Sequence, residues 1–517
     1  MKSRALSIGT IMLAVGISFA LHSQAGQPGP TSGTITIALG SEPTTLDPQL
    51  RDEGPLRYTL NQVYESLVER DPKTMGIVPE LAEKWTLIDK TTWRFHLRKG
   101  VKFHDGEPFN AETAAFAFNR AVDPKYASQY ASYWVDFKEA KVVDDYTIDI
   151  ITSEPVPNLL GGLYFLKMVP KKWVEANPER ILREANGTGP YKLVSFAKGD
   201  KMTLTVNPQW WGDLSALPVK DVVFLFRPED GVRLSTLKAG EADLAHNIGA
   251  DLAKLAPKFV HKAALEVFLI RLNYKTNACQ WLNDAEVRQA LNYAIDRDGI
   301  VKSLFQGLAT PAYGQPFMDA IPGFTKDLQD YPYEPAKAKE IIKRKGLDGR
   351  EIELMGLEGR WVKDRELTEV LAAQLSQTGL KVKPRIIEYR TWLDNLFAVS
   401  SKEEAVRERA PCLQLTNHSN EAMDANRTLS FYVWSEGRAS GRPYLAEIDD
   451  VIVANRSELD AHKRAETYRK LMKTLYDGAH AYVALFAVDA VHGLSEQLIW
   501  EPRLDDLVYV KEMRLKP

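Results

Sequence analysis

The chain has 517 residues, 44% of them hydrophobic, with 66 Lys and Arg against 69 Asp and Glu, so it is long enough for more than one buried core. A formal charge of −3 supplies no basic surface for nucleic acid or an anionic membrane. Two cysteines, Cys279 and Cys412, exclude a disulfide scaffold and a Cys-rich metal site; even in an oxidising compartment pairing and two buried free thiols stand as equal alternatives, because sequence does not supply their separation.

Lys2 and Arg4 precede a mostly apolar run over residues 5–21, and Ser23 and Ala25 put small residues at the −3 and −1 positions of a cleavage site. This reads as a secretory signal (residues 1–25) removed after Ala25, since a membrane span needs about 20 apolar residues. No Cys follows to carry a lipid, so the expected product is a free periplasmic protein that does not span the membrane.

Residues 26–33 read as a leader and 34–39 as a first strand. Pro43 and Pro48 hold 42–48 as a loop. A helix is expected over 56–68, with Leu60, Val63, Tyr64 and Leu67 on one face. Residues 92–98 alternate as a half-buried strand, His104 to Pro108 form a turn, and Asn110 caps a helix carrying Ala114, Ala115, Phe118, Ala121 and Val122. One strand is expected over 142–151, then strands over 191–196, 201–206 and 219–226, with an aromatic turn at 207–212. A helix over 231–239 ends at Gly240, and 241–245 returns to the sheet.

Asp284 caps a further helix, and a second ends at Gly307. Residues 351–357, 363–377 and 380–388 read as strand, helix and strand, a unit that should lie on a parallel sheet. A strand over 412–416, helices over 445–455 and 461–476, and a buried strand over 481–488 complete a mixed α/β chain. Phosphate-loop, dinucleotide, His-Glu-x-x-His and Gly-x-Ser-x-Gly signatures are absent from the sequence, and the nine histidines are scattered.

Ordered segments carry a resemblance: GSEPTTLDPQ (40–49), VYESLV (63–68), PELAEKW (79–85), the block 81–120, NGTGPYKL (186–193), NPQWWG (207–212), LKAGEADL (237–244), DAEVRQALNYAIDRDGIV (284–301) and YEPAKAKEII (333–342). Together they resemble the family 5 solute-binding proteins of bacterial ABC importers, which include oligopeptide-, dipeptide- and nickel-binding proteins. The resemblance implies a two-lobed α/β fold of the type II periplasmic-binding-protein class, with an extra domain in the first lobe. Lobe one would use 26–60, 186–270 and 488–517, the extra domain 61–185, and lobe two 271–487. It implies a monomer without catalysis or cofactor that traps a peptide or other small molecule by hinge closure and offers it to an inner-membrane permease. A secreted hydrolase in the same cleft and a polypeptide-binding chaperone or receptor are the competing functions.

The resemblance also points to ligand contacts. Glu42, Pro43 and Thr44 follow the first strand at the cleft. Tyr133 and Trp134 either cover the pocket or pack on the domain core. In peptide-binding relatives a strand leads into a loop whose carboxylate meets the ligand ammonium. Here Leu415, Thr416, Asn417 and His418 occupy that stretch without an acid. Asn417 and His418 would hydrogen-bond a neutral or anionic ligand, or His418 orients the loop. Asp424 either caps a helix or supplies the missing acid, and Phe486 either meets the ligand or fills the core. Trp210 and Trp211 are assigned to lobe packing.

Overall fold

A computed structural model describes residues 32–134 and 136–516; the expected signal segment lies outside them. Two sheets centre two lobes. The first runs in the order Lys258–Ala263, Phe486–Leu494, Leu244–Ala245, Thr34–Leu39, Asp221–Phe226, Lys201–Val206, Tyr191–Ala197, with Ala309–Pro311 paired to its second strand. The second runs Lys381–Ile387, Glu351–Leu357, Leu413–Ser419, Glu266–Leu272, Tyr482–Ala484. A separate antiparallel sheet of Ala82–Asp89, Thr92–Leu97, Thr147–Thr152 and Phe137–Asp144 belongs to the extra domain. Among the described residues no helix is long and apolar enough to cross a membrane.

Local chemistry accounts for most boundaries. Asn110 accepts from the Thr113 N–H while the Thr113 hydroxyl contacts the Asn110 backbone N–H, a reciprocal cap that starts the helix Ala111–Val122. The helix Asp230–Lys238 ends before Gly240, at φ +75°. The helix Asp364–Ser376 joins Glu351–Leu357 to the parallel neighbour Lys381–Ile387, as expected of a crossover unit.

Three expectations are corrected. The helix expected over 56–68 spans only Gly54–Leu60. Its continuation is captured by another segment: the Gln62 and Val63 carbonyls accept from the Tyr191 and Gly189 N–H groups at 3.0 and 2.9 Å. That approach requires glycine, because a Cβ at Gly187 would lie 2.0 Å from the Val63 oxygen. The strand expected over 142–151 is a hairpin, turned where Asp144 accepts from the Tyr146 N–H at 2.8 Å. The strand expected over 481–488 divides at Leu485, with Tyr482–Ala484 in the second sheet and Phe486–Leu494 in the first.

Leu485 is therefore a crossing between lobes. A second crossing joins Lys258–Ala263 of the first sheet to Glu266–Leu272 of the second through residues 264–265. In the second lobe Cys279 and Cys412 form a disulfide, which ties the start of Leu413–Ser419 to a segment 133 residues earlier.

Candidate functional site

A cavity of ≈ 230 Å³ lies between the lobes at these crossings. Arg57 and Tyr58, Asn247, Asp489 and the 504–507 loop form the wall from the first lobe. The opposing wall comes from residues 264–268, the 360–362 loop, and Asn417, Ser419 and Glu421.

Strand alternation decides which residues of the second lobe reach it. Glu266 pairs in register with Ser419 and Phe268 with Asn417, so these four share a face of the sheet. The 360–362 loop is fixed from behind. Buried Asp364 accepts backbone N–H groups from Gly359, Arg360, Trp361 and Arg365 at 2.8–3.2 Å. Trp361 packs edge-on against Phe268 and Trp392, each at 5.4 Å between ring centres. Arg360 is thereby presented at the cavity, and among the described residues its guanidinium forms no ion pair.

The first-lobe wall is anchored by a buried ion network. Arg503 donates to both oxygens of Asp505 at 2.9 and 3.1 Å and to Glu512 at 2.7 Å. This holds the loop that carries Asp506, whose φ is +55°. Asn247 on the same wall has φ +50°. Asp and Asn tolerate this left-handed region better than most residues, and such strain concentrates at functional sites.

The charges around the cavity are unequal. Arg57 is paired with Asp52 and Glu421. Asp489 is paired with His261 at 2.7 Å. Burial pushes the Glu266 carboxyl up to about 7, reinforced by Glu421 and Asp506, against the pull of Arg360. Burial also opposes ionisation of Asp506, but His246 and His492 beside it outweigh that effect and hold its carboxyl below the usual range. Burial lowers the His492 pKa, against the opposing pull of Asp506.

The family model for bacterial extracellular solute-binding proteins, family 5 (middle region), matches residues 76–435. The chain belongs to that family. The dipeptide-binding protein of Escherichia coli (strain K12) is 27% identical over an alignment covering 93% of each chain. The glutathione-binding protein GsiB of Salmonella choleraesuis (strain SC-B67) is 29% identical over 77% of each. The solved structure of HbpA2 from Haemophilus parasuis has a TM-score of 0.82 at 23% identity, covering 94% of this chain and 100% of its own. This solute-binding protein has the two-lobed fold of its family and is the substrate-binding subunit of an ABC importer. Its family consists of binding proteins rather than enzymes.

Of the residues singled out in the sequence of this solute-binding protein, Asn417 lines the cavity. Alternation turns its neighbours away: Thr416 meets the Tyr432 hydroxyl at 2.7 Å, and His418 stacks on Phe431 at 5.4 Å. Burial, with Arg427 nearby, lowers the His418 pKa to about 3. Leu415 is in the core, where its carbonyl accepts from the Trp392 indole. Asp424 caps Ala425–Thr428 and pairs with Arg464 at 2.7 Å. Phe486 is fully buried against Phe305.

Glu42 accepts from the Gly199 N–H, Pro43 is buried, and Thr44 donates to Glu53. None of these three lines the cavity. Trp134 packs edge-on against Phe118 in the extra domain, while the Tyr133 hydroxyl donates to Asp52 at 3.0 Å. Trp210 and Trp211 both donate their indole N–H to buried Glu65, at 2.9 and 2.8 Å, the packing role expected of them.

Sequence reading missed Arg57, Glu266, Arg360 and Asp506. Glu266 had a usable signal, the lone acid at the start of a strand that is apolar except for Arg271. Asp506 had none, because its surroundings come from residues distant in the chain.

Proposed function

We propose that the interlobe cavity is the ligand site of this importer subunit and that it takes a small peptide-like molecule. The mature chain acts as a periplasmic monomer, closes its lobes on the ligand and presents the closed form to an inner-membrane permease. With the boundaries set at these crossings, lobe one takes 32–60, 186–264 and 486–516, the extra domain 61–185, and lobe two 265–485, which moves 266–270 into lobe two and 486–487 into lobe one relative to the bounds expected from the sequence. The observation that carries this reading is that opposed cavity walls come from two sheets joined by crossings at 264–265 and Leu485. A ligand touching both walls makes contacts that exist only when the lobes are closed, which is the differential affinity closure requires. Arg360, whose guanidinium lies 5.6 Å from the Tyr389 ring centre and forms no ion pair among the described residues, is suited to a ligand carboxylate. The names of relatives that bind a dipeptide and glutathione support the same ligand class.

Native mass spectrometry of freshly purified protein should reveal a 1:1 complex, and re-addition of the released ligand should raise the melting temperature. A folded protein that neither retains nor gains any ligand across amino-acid, peptide and glycan panels would overturn this reading. Chemical turnover of the bound molecule would favour a hydrolase instead.

A further inference from the structure

A short stretch of the second lobe's sequence, Ala309–Pro311, pairs antiparallel with the residues that follow the crossing at Leu485, in the register Ala309–Val488, Thr310–Ala487 and Pro311–Phe486. This crossing is therefore a two-stranded ribbon rather than a single chain. One end of the ribbon is held by the second lobe. Phe305 and Phe486 are buried in one of its clusters, with ring centres 5.4 Å apart, and Ala312 and Ala487 are buried in another.

The other end is pinned to the first lobe. Leu308 packs against the cluster that holds Leu234, Leu237, Ile248 and Val491, and its carbonyl accepts the Asp489 N–H at 3.1 Å. Gln306 and Gly307, at φ +56° and +82°, turn the chain just before Leu308. A glutamine in this left-handed region is held there by its surroundings, and such strain collects where a structure switches.

Asp489 completes the pin. Its side chain is 7% exposed and both of its oxygens are taken. Oδ1 accepts from the Thr310 hydroxyl at 3.2 Å, and Oδ2 lies 2.7 Å from His261 Nδ1. His261 is on Lys258–Ala263, the strand that runs into the other crossing at 264–265. One carboxylate thus ties the ribbon to both connections between the lobes, and its residue also lines the interlobe cavity. A lone crossing strand twists freely, whereas paired strands resist twisting because their ladder would break. Lobe movement is thereby directed to the pinned end, where few residues absorb the change in backbone angle. We propose that Ala309–Pro311 and Phe486–Val488 form a hinge ribbon pinned to the first lobe at Leu308, and that Asp489 is the positioning residue that fixes its axis. The ribbon rests on the reading that the lobes close about these crossings.

The test uses the full mature protein without added ligand. Nitroxides at Val194→Cys in the first lobe and Val453→Cys in the second, positions 59% and 48% exposed, report the separation of the lobes by pulsed electron resonance. Residue-resolved hydrogen exchange reports the pin through the Asp489 amide. In the wild type that amide should be protected like the Ile248 amide, which donates to the Val491 carbonyl at 2.8 Å within the first lobe. Thr310→Val should raise its exchange about 5-fold and widen the range of lobe separations. Asp489→Ala, which frees His261 as well, should do both more strongly. Circular dichroism and melting establish that each variant is folded, and Thr310→Val keeps the test open should Asp489→Ala not fold. An Asp489 amide that exchanges at surface-loop rates in the wild type would overturn the ribbon and leave the cavity assignment standing. So would a range of separations that is the same in wild type and folded variants. One fixed separation in every sample would overturn closure about the hinge as well.

Discussion

Arg57 Nη2 lies 2.9 Å from Glu421 Oε2, so an ion pair joins the helix Gly54–Leu60 of one lobe to the loop that follows Leu413–Ser419 in the other. The same loop is gripped from the extra domain. Asn158 donates its amide to the Ala422 carbonyl at 2.9 Å, and the Arg427 guanidinium sits 4.4 Å from the Tyr133 ring centre. These contacts exist only with the lobes together.

Removing one partner of this latch should favour the open form. Glu421→Gln leaves Arg57 with Asp52 but weakens the bridge between lobes, and about 1–2 kcal/mol of closed-state stability should be lost. Stopped-flow dissociation should be correspondingly faster, and small-angle scattering should show a more extended liganded protein. Unchanged dissociation would mean that the latch forms without contributing to closure.

Asn417 and His418 are adjacent but should behave differently. Asn417→Ala removes a polar group from the cavity wall and should weaken the ligand by more than about 1 kcal/mol. His418→Ala removes a ring packed between Phe431 and Tyr432, so it should lower the melting temperature and leave affinity nearly unchanged. Titration and melting of the two variants separate these outcomes.

Glu80 should give stability a pH dependence. Burial, with Glu69 beside it, raises its pKa from 4.5 to about 8, and its carboxyl accepts from the Ser66 N–H at 2.8 Å. Because the folded pKa lies above the unfolded one, the contribution is fully present below about pH 4.5 and is lost as pH rises through about 8. Glu80→Gln should therefore flatten the decline in melting temperature between pH 5 and pH 9, an interval set by those two pKa values. An unchanged slope in thermal melts would assign the decline to other groups.

The Cys279–Cys412 disulfide closes a loop with a sequence separation of 133. Chain-entropy reasoning gives a loop of this length about 5 kcal/mol at most. A Cys279→Ser, Cys412→Ser double variant should melt well below the wild type, and reductant should lower the wild-type melting temperature towards it.

Gly187→Ala tests the contact that ends the helix Gly54–Leu60. Its Cβ would overlap the Val63 carbonyl, so the 186–191 segment would have to withdraw at a cost of about 3 kcal/mol or more. A wild-type melting temperature would show that the segment can shift without loss.

The fold was legible where side-chain chemistry is local. The Asn110 and Asp284 caps, the glycine after Asp230–Lys238 and the alternation in Thr92–Leu97 each depend on neighbours within a few residues. The departures arose where a distant segment competed for the backbone. The 189–191 stretch took the carbonyls of 62 and 63, and at Leu485 one apolar run was divided between two sheets. Neither competition leaves a mark in a short window of sequence.

The candidate site divides in the same way. The sequence by itself determined the family through ordered motifs and singled out the stretch that forms the strand Leu413–Ser419 bordering the cavity, because periodicity and turn chemistry are written in adjacent residues. Which face of that strand meets the cavity was decided by its pairing with Glu266–Leu272, which presents Asn417 and turns His418 inward. Asp506 became an oriented anion only when His246 and His492, remote from each other in the chain, were folded behind it. Charge complementarity at a cleft depends on separations through space, and those exist only once the lobes are assembled.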